Sequence, residues 1–215
     1  MKPDLAFYRA VRFLLVAVAC RLLFRLTVEG QENLPATGAY VVAPVHRSNL
    51  DTLYVGGISR RRLRFMGKDS LWKNPVTAFV FSALGGFPVH RGAVDREALR
   101  RCMEVIQGGE PLVLFPEGTR QSGPVVESLF EGAAYVASRT GVPIVPVGIG
   151  GSERAMPKGS KLIHPVKVHL VIGRPIHPPT GDRVARRAVH DMTSSLHQEL
   201  QVLFDAAQAK AGGAG

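Results

Sequence analysis

Two cysteines, one tryptophan and few aromatics set the first limits on this chain of 215 residues. Cys20 and Cys102 fall in apolar, helix-like segments and carry no spacing of a disulfide framework, so a reducing compartment is expected. No Cys/His cluster has the spacing of metal ligands, which excludes a structural zinc of the usual kind. Phe, Trp and Tyr make up only 7% of a chain that is 46% hydrophobic, so Leu, Val, Ile and Ala must build the core. Long uncharged apolar runs are also missing. The longest near the N-terminus, Phe13 to Cys20, is eight residues, well short of the ~20 that cross a bilayer. Acidic residues are outnumbered, 17 against 27 Lys and Arg, for a formal charge of +10. That balance favours an anionic partner: a membrane surface, a phosphorylated substrate or a nucleic acid. The densest basic run, Arg60 to Arg64 with Lys68 behind it, lacks interleaved aromatics and matches no nucleic-acid module.

What is present begins with the N-terminal segment. Leu5 to Leu26 is apolar but carries Arg9, Arg12, Arg21 and Arg25. Arg12 and Arg21 lie roughly 13 Å apart along a helix, which suits a helix in the membrane interface with its arginines reaching the phosphate layer. The arginines do not share one narrow face of an α-helix. A core helix and a targeting signal are the rival readings, the second without a convincing cleavage site.

Apolar runs and helical patterns alternate over the rest of the chain. Strands are expected at 26–29, 39–43, 63–66, 87–90, 112–115, 144–149 and 166–172. Helices are expected at 49–59, 75–84, 95–107, 129–139 and 182–207. The last helix carries Val189, Met192, Leu196, Leu200 and Leu203 at steps of three and four. Such alternation implies an α/β fold, a single sheet of mostly parallel strands flanked by helices. Residues 1–25 are expected to anchor to the membrane, 26–208 to form the main domain, and the Gly/Ala-rich end, 209–215, to be disordered.

Three clusters carry chemistry. His46 and Asp51 sit five positions apart after the strand-like run Ala39 to Ala43. A carboxylate on one ring nitrogen fixes the tautomer and raises the basicity of the other, as a general base requires. Ser48-x-x-Asp51 also resembles a capping box, and the two roles are compatible. His90–Asp95 and His177–Asp182 share the spacing but not the context. Phe115-Pro116-Glu117-Gly118-Thr119-Arg120 is again a strand that ends in a polar turn, where Gly118 permits a tight path. Backbone N–H groups, Thr119 and Arg120 can converge there on an anion, a planar guanidinium suiting a phosphate monoester. A plain Pro-x-Gly turn with solvated charges is the other reading. The glycine-flanked segment Gly85 to Gly92 delivers Arg91 at its exit.

In order and spacing these clusters, followed by Val142-Pro-Ile-Val-Pro146, resemble the glycerolipid acyltransferases, above all the bacterial 1-acylglycerol-3-phosphate acyltransferases. The resemblance covers roughly residues 26–175. It implies a glycerol-3-phosphate acyltransferase-like fold and transfer of a fatty acyl group from acyl-CoA or acyl-ACP to the 2-hydroxyl of lysophosphatidic acid, giving phosphatidic acid. By the resemblance His46 is the general base and Asp51 its orienting partner. Lys68, Arg91, Glu117, Gly118, Thr119 and Arg120 form the glycerol-phosphate site. His90 departs from a position that is often acidic in the family. The resemblance further implies no metal, no bound cofactor, no nucleic-acid partner, and a peripheral or monotopic place on the cytoplasmic face of the cell membrane. An acyl carrier protein is a further candidate partner. Another acceptor (glycerol 3-phosphate, another lysophospholipid or an ornithine-type lipid) stays open, as does a non-catalytic basic binding module.

Overall fold

The alternation of apolar and helical segments becomes a seven-stranded sheet with helices packed against it. The computed structural model describes residues 3–89, 96–179 and 186–212. The chain starts with a helix in three segments: α1, Pro3–Arg12, a π-helical stretch, Phe13–Cys20, and α2, Arg21–Phe24. The strands are β1 (Thr27–Glu29), β2 (Val41–Pro44), β3 (Arg64–Lys68), β4 (Gly86–Val89), β5 (Leu112–Val113), β6 (Ile144–Gly150) and β7 (His169–Ile172). The remaining helices are α3 (Asp51–Gly56), α4 (Pro75–Ala83), α5 (Arg96–Gln107), α6 (Gly132–Thr140), α7 (Ser152–Ala155) and α8 (Arg186–Lys210).

The strand order is β1-β7-β6-β2-β5-β3-β4. Every neighbouring pair is parallel except β6–β7. Parallel strands buried on both faces read as continuous apolar runs, and β2 and β6 are buried at every position. Each expected strand therefore appears, within a few residues of its expected ends.

The long helix α8 buries Val189, Met192, Leu196, Leu200 and Leu203, the stripe that its sequence period marks. It lies directly on β6 because Gly148 and Gly150 have no side chains there. A Cβ at Gly148 would collide with the Leu203 carbonyl, and one at Gly150 with the Ala207 carbonyl. Gly148→Ala is thus expected to destabilise the protein by about 1–3 kcal/mol through overpacking, read as a lower urea midpoint with an unchanged slope.

Two expectations change. Residues 209–212 are not a loose tail: α8 runs to Lys210, Ala211 is buried, and the Arg154 guanidinium donates to the Ala211 carbonyl at 3.0 Å. The helix after His46 is shorter than 49–59, because it begins at Asp51 and ends at Gly56. Asp95, Asp182 and His90 lie outside the described residues.

The N-terminal helix is two-sided. Tyr8, Cys20 and Phe24 are buried against the body, with Phe24 packed edge-on to Tyr54 at 5.3 Å. Phe13, Leu14, Val18, Leu22 and Leu23 are exposed. Among the described residues no helix is long and apolar enough to cross a membrane.

Candidate active site

Parallel pairing sets the carboxyl ends of β2, β5, β3 and β4 side by side, and the polar clusters sit there. Val42 is in register with Val113, Val113 with Phe65, and Lys68 with Val89. His46 follows β2 by two residues, the 115–120 turn follows β5, and Lys68 closes β3. Arg91 falls two residues past the end of β4, outside the described residues. Open α/β sheets characteristically bind ligands outside these strand ends.

The imidazole of His46 donates from Nδ1 to Asp51 Oδ2 at 3.0 Å. That oxygen also accepts from the backbone N–H groups of Arg47 and Ser48, each at 2.7 Å. Ser48 Oγ accepts from Leu50 N at 3.3 Å and donates to the Met156 carbonyl at 2.9 Å. One carboxylate therefore braces the turn that leads into α3 and holds the histidine. Asp51 is fully buried, whereas the His46 side chain is 17% exposed. The proton shared with Asp51 at Nδ1 leaves Nε2 with a lone pair at the surface. The Phe115 ring stacks on the imidazole at 4.1 Å and 27°. The ring is thus held from the side and from one face.

A second buried charge builds the neighbouring loop. Arg47 and Glu117 are each 1% exposed. Arg47 Nη1 donates to both Glu117 oxygens at 2.8 Å. Glu117 Oε2 accepts from His46 N at 2.8 Å, and Oε1 from Glu127 N at 3.3 Å. Arg47 also donates to the Val125 carbonyl at 2.9 Å and the Gly123 carbonyl at 3.3 Å, and its guanidinium lies 4.8 Å over the Phe204 ring on α8. The His46 carbonyl accepts from Gln121 N at 2.8 Å. Three segments, 46–48, 115–121 and 123–127, are thereby locked to one another.

By the family resemblance Glu117 belongs with the phosphate-binding residues. The structure places its carboxylate in the interior, occupied by Arg47 and backbone donors. Gly118 and Thr119 are exposed at the turn and Arg120 is half-buried. Gly118 takes φ 70°, and the Phe130 ring occupies the place of a Cβ. Lys68 is exposed. The sequence motifs give Arg47 and Phe115 no role of their own. Phe115 was legible as the last apolar residue before the turn, but Arg47 was one arginine among many.

An apolar cavity of about 280 Å³ opens beside the first turn of α3, where Asn49 and Thr52 line it. Leu53, Phe65, Phe81 and Leu84 form its walls, and Tyr8 and Val11 of α1 close one side. The two cysteines lie apart from the polar clusters in sequence, and burial pushes the Cys20 thiol up to about 11 and the Cys102 thiol up to about 12. Neither supplies a thiolate at neutral pH.

The fold and the site define an α/β protein that carries a carboxylate-backed histidine at the carboxyl rim of a mainly parallel sheet, beside a glycine-turn loop with an arginine. The chain belongs to the Acyltransferase family, whose model matches residues 25–150. It is 30% identical over 183 residues to the 1-acyl-sn-glycerol-3-phosphate acyltransferase of Bacillus subtilis, covering 82% of this chain and 86% of that protein. It is 29% identical over 196 residues to a chloroplastic 1-acyl-sn-glycerol-3-phosphate acyltransferase of Arabidopsis thaliana, covering 88% of this chain and 54% of the relative. The chain thus spans about half the length of that relative. The crystal structure of the 1-acyl-sn-glycerophosphate (LPA) acyltransferase PlsC from Thermotoga maritima matches with a TM-score of 0.77 at 25% identity, over 100% of this chain and 86% of that one.

Proposed function

We propose that this protein transfers a fatty acyl group from an acyl thioester, carried by coenzyme A or acyl carrier protein, to the 2-hydroxyl of 1-acylglycerol 3-phosphate. The observation that carries this reading is the His46–Asp51 pair at 3.0 Å, presented at a sheet rim beside the loop of Thr119 and Arg120. An alcohol attacks a thioester poorly unless its proton leaves during attack. His46 Nε2 takes that proton, and Asp51 stabilises the imidazolium that forms. The acyl carbonyl carbon bonds to the acceptor oxygen, the carbon–sulfur bond breaks, and the thiolate leaves with the proton from His46. Neither cysteine is suited to an acyl-enzyme, and Ser48 Oγ is engaged by the Met156 carbonyl and Leu50 N, so the transfer we propose is direct, within a ternary complex.

Lys68, Arg91 and Arg120 supply the positive charge for the acceptor phosphate, with Gly118 and Thr119 shaping the turn. A planar fork from Arg120 fits phosphate oxygens in pairs. Holding the phosphate there orients the hydroxyl toward His46. The apolar cavity beside Asn49 and Thr52 suits an acyl chain. The exposed face of the N-terminal helix sits in the membrane interface at the cytoplasmic side, where the lipid acceptor resides.

Purified protein would be offered labelled acyl-CoA and acyl-ACP with four acceptors: lysophosphatidate, glycerol 3-phosphate, lysophosphatidylcholine and lyso-ornithine lipid. Lysophosphatidate is expected to dominate. Arg120→Ala should raise KM for lysophosphatidate by about 10–100-fold, the loss of one charge-assisted pair, and change kcat less. Equal turnover on an acceptor without phosphate, or an Arg120→Ala variant indifferent to the phosphate, would refute this assignment.

A further inference from the structure

A second cavity, of about 400 Å³, lies under the N-terminal helix. Arg12 and Arg21 line it from the helix, and Leu26, Thr27, Gln31 and Gly57 are among the residues opposite. None of these belongs to the 46–51 or 115–120 segments, although Arg12 also borders the apolar cavity beside α3, and among the described residues no carboxylate lines the space. Arg12 donates from Nη2 to the Gly57 carbonyl at 3.1 Å, while its Nε is shielded from solvent without a hydrogen-bond partner. Arg21 is exposed and forms no ion pair among the described residues. Two guanidinium groups therefore face one pocket with no anion to neutralise them.

The backbone explains how they meet. Nine residues make two and a half turns of an α-helix, which would put Arg12 and Arg21 on opposite sides. Phe13–Cys20 is π-helical instead. At about 4.4 residues per turn the same nine residues complete about two turns, and both arginines return to one side. The stretch that breaks the amphipathic pattern in the sequence is thus the stretch that gathers its charge. π-Helical segments concentrate at functional positions. Between the two arginines the helix exposes Phe13, Leu14 and Val18, and just beyond them Leu22 and Leu23. A ligand that reaches this pocket from that surface is an amphiphile with an anionic head.

We propose that the Arg12–Arg21 cavity binds the phosphate group of an anionic phospholipid, at a site separate from the reaction centre. The inference takes only the interfacial helix from the proposed function, as the source of the phosphate, and nothing from the acyl-transfer chemistry. Two planar forks grip phosphate oxygens with directional, charge-assisted bonds, and a zwitterionic choline head would carry its own cation into a dicationic space.

The full-length protein would be titrated calorimetrically with short-chain phosphatidylglycerol below its micelle concentration, with phosphatidylcholine of the same length, and with inorganic phosphate. One saturable site for phosphatidylglycerol is expected, with phosphatidylcholine and inorganic phosphate at least tenfold weaker. Arg21→Gln, at an exposed position, should weaken phosphatidylglycerol at least fivefold, and Arg12→Gln/Arg21→Gln further. The pair Lys158→Gln/Arg187→Gln removes the same charge from elsewhere and should leave binding unchanged. Equal weakening in this control pair would show general charge attraction and overturn the site. Inorganic phosphate binding as tightly as the lipid would overturn the lipid assignment. Flotation with neutral phosphatidylcholine vesicles reads the interfacial helix separately, and acyl transfer is assayed on its own, so a failure of either earlier reading is told apart from a failure of this one.

Discussion

His46→Ala is expected to lower kcat by at least 10²–10⁴-fold, the range that a positioned general base contributes, while far-UV circular dichroism and the urea midpoint stay near those of the parent. The two halves of this expectation have separate physical grounds. The imidazole is partly exposed, and its removal leaves the His46 backbone N–H on Glu117 and its carbonyl on Gln121. The loops therefore stay tied. What disappears is the lone pair at Nε2 and the stack on Phe115. Asp51→Asn separates orientation of the ring from bracing of the turn. An amide oxygen still accepts from Arg47 N and Ser48 N, so the turn into α3 persists. The amide is neutral and does not stabilise an imidazolium, so kcat should fall steeply even in this folded variant. Retention of turnover within tenfold in His46→Ala would end the general-base assignment. Retention in Asp51→Asn alone would reduce Asp51 to a brace for the turn before α3.

Much of the frame was legible because local chemistry and global topology agree. The apolar runs within 39–43 and 144–149 become β2 and β6, strands buried at every position, and the 3.6-residue stripe of α8 meets β6 where Gly148 and Gly150 leave room. The His46–Asp51 spacing was legible because a turn into a helix brings residues five apart together. Its immediate surroundings were not. The pairing of Arg47 with Glu117 spans seventy residues, and no pattern in the chain marks one arginine or one glutamate as buried. Glu117 read as a phosphate neighbour because it stands beside Gly118, Thr119 and Arg120, yet the turn that exposes those three points its carboxylate inward. The N-terminal helix was hard to read for a different reason. Its apolar and basic residues were set against an α-helical period, whereas eight residues of it are π-helical.

The second large effect is expected at that inward pair. Glu117→Ala should destabilise the protein by about 3–5 kcal/mol, the loss that follows when one member of a buried ion pair is left alone. For a chain of this size that is a fall in Tm of roughly 6–20 °C. The cause is specific. Arg47 keeps the Gly123, Val125 and His46 carbonyls and the Phe204 face, but its charge has no counterion. The N–H groups of His46 and Glu127 lose their acceptor at the same time. Arg47→Met/Glu117→Leu should then recover stability relative to Glu117→Ala, because removing both buried charges cancels the desolvation cost of each. It should not recover turnover, since the catalytic loop still lacks the carboxylate that holds His46 N. A carboxylate that met the acceptor phosphate directly would behave otherwise. It would repel that anion, and Glu117→Gln would leave Tm unchanged while altering KM for lysophosphatidate. Urea unfolding and steady-state kinetics on these variants decide the matter: lost stability and lost kcat together place Glu117 behind the site, as the strut between the base and the anion loop.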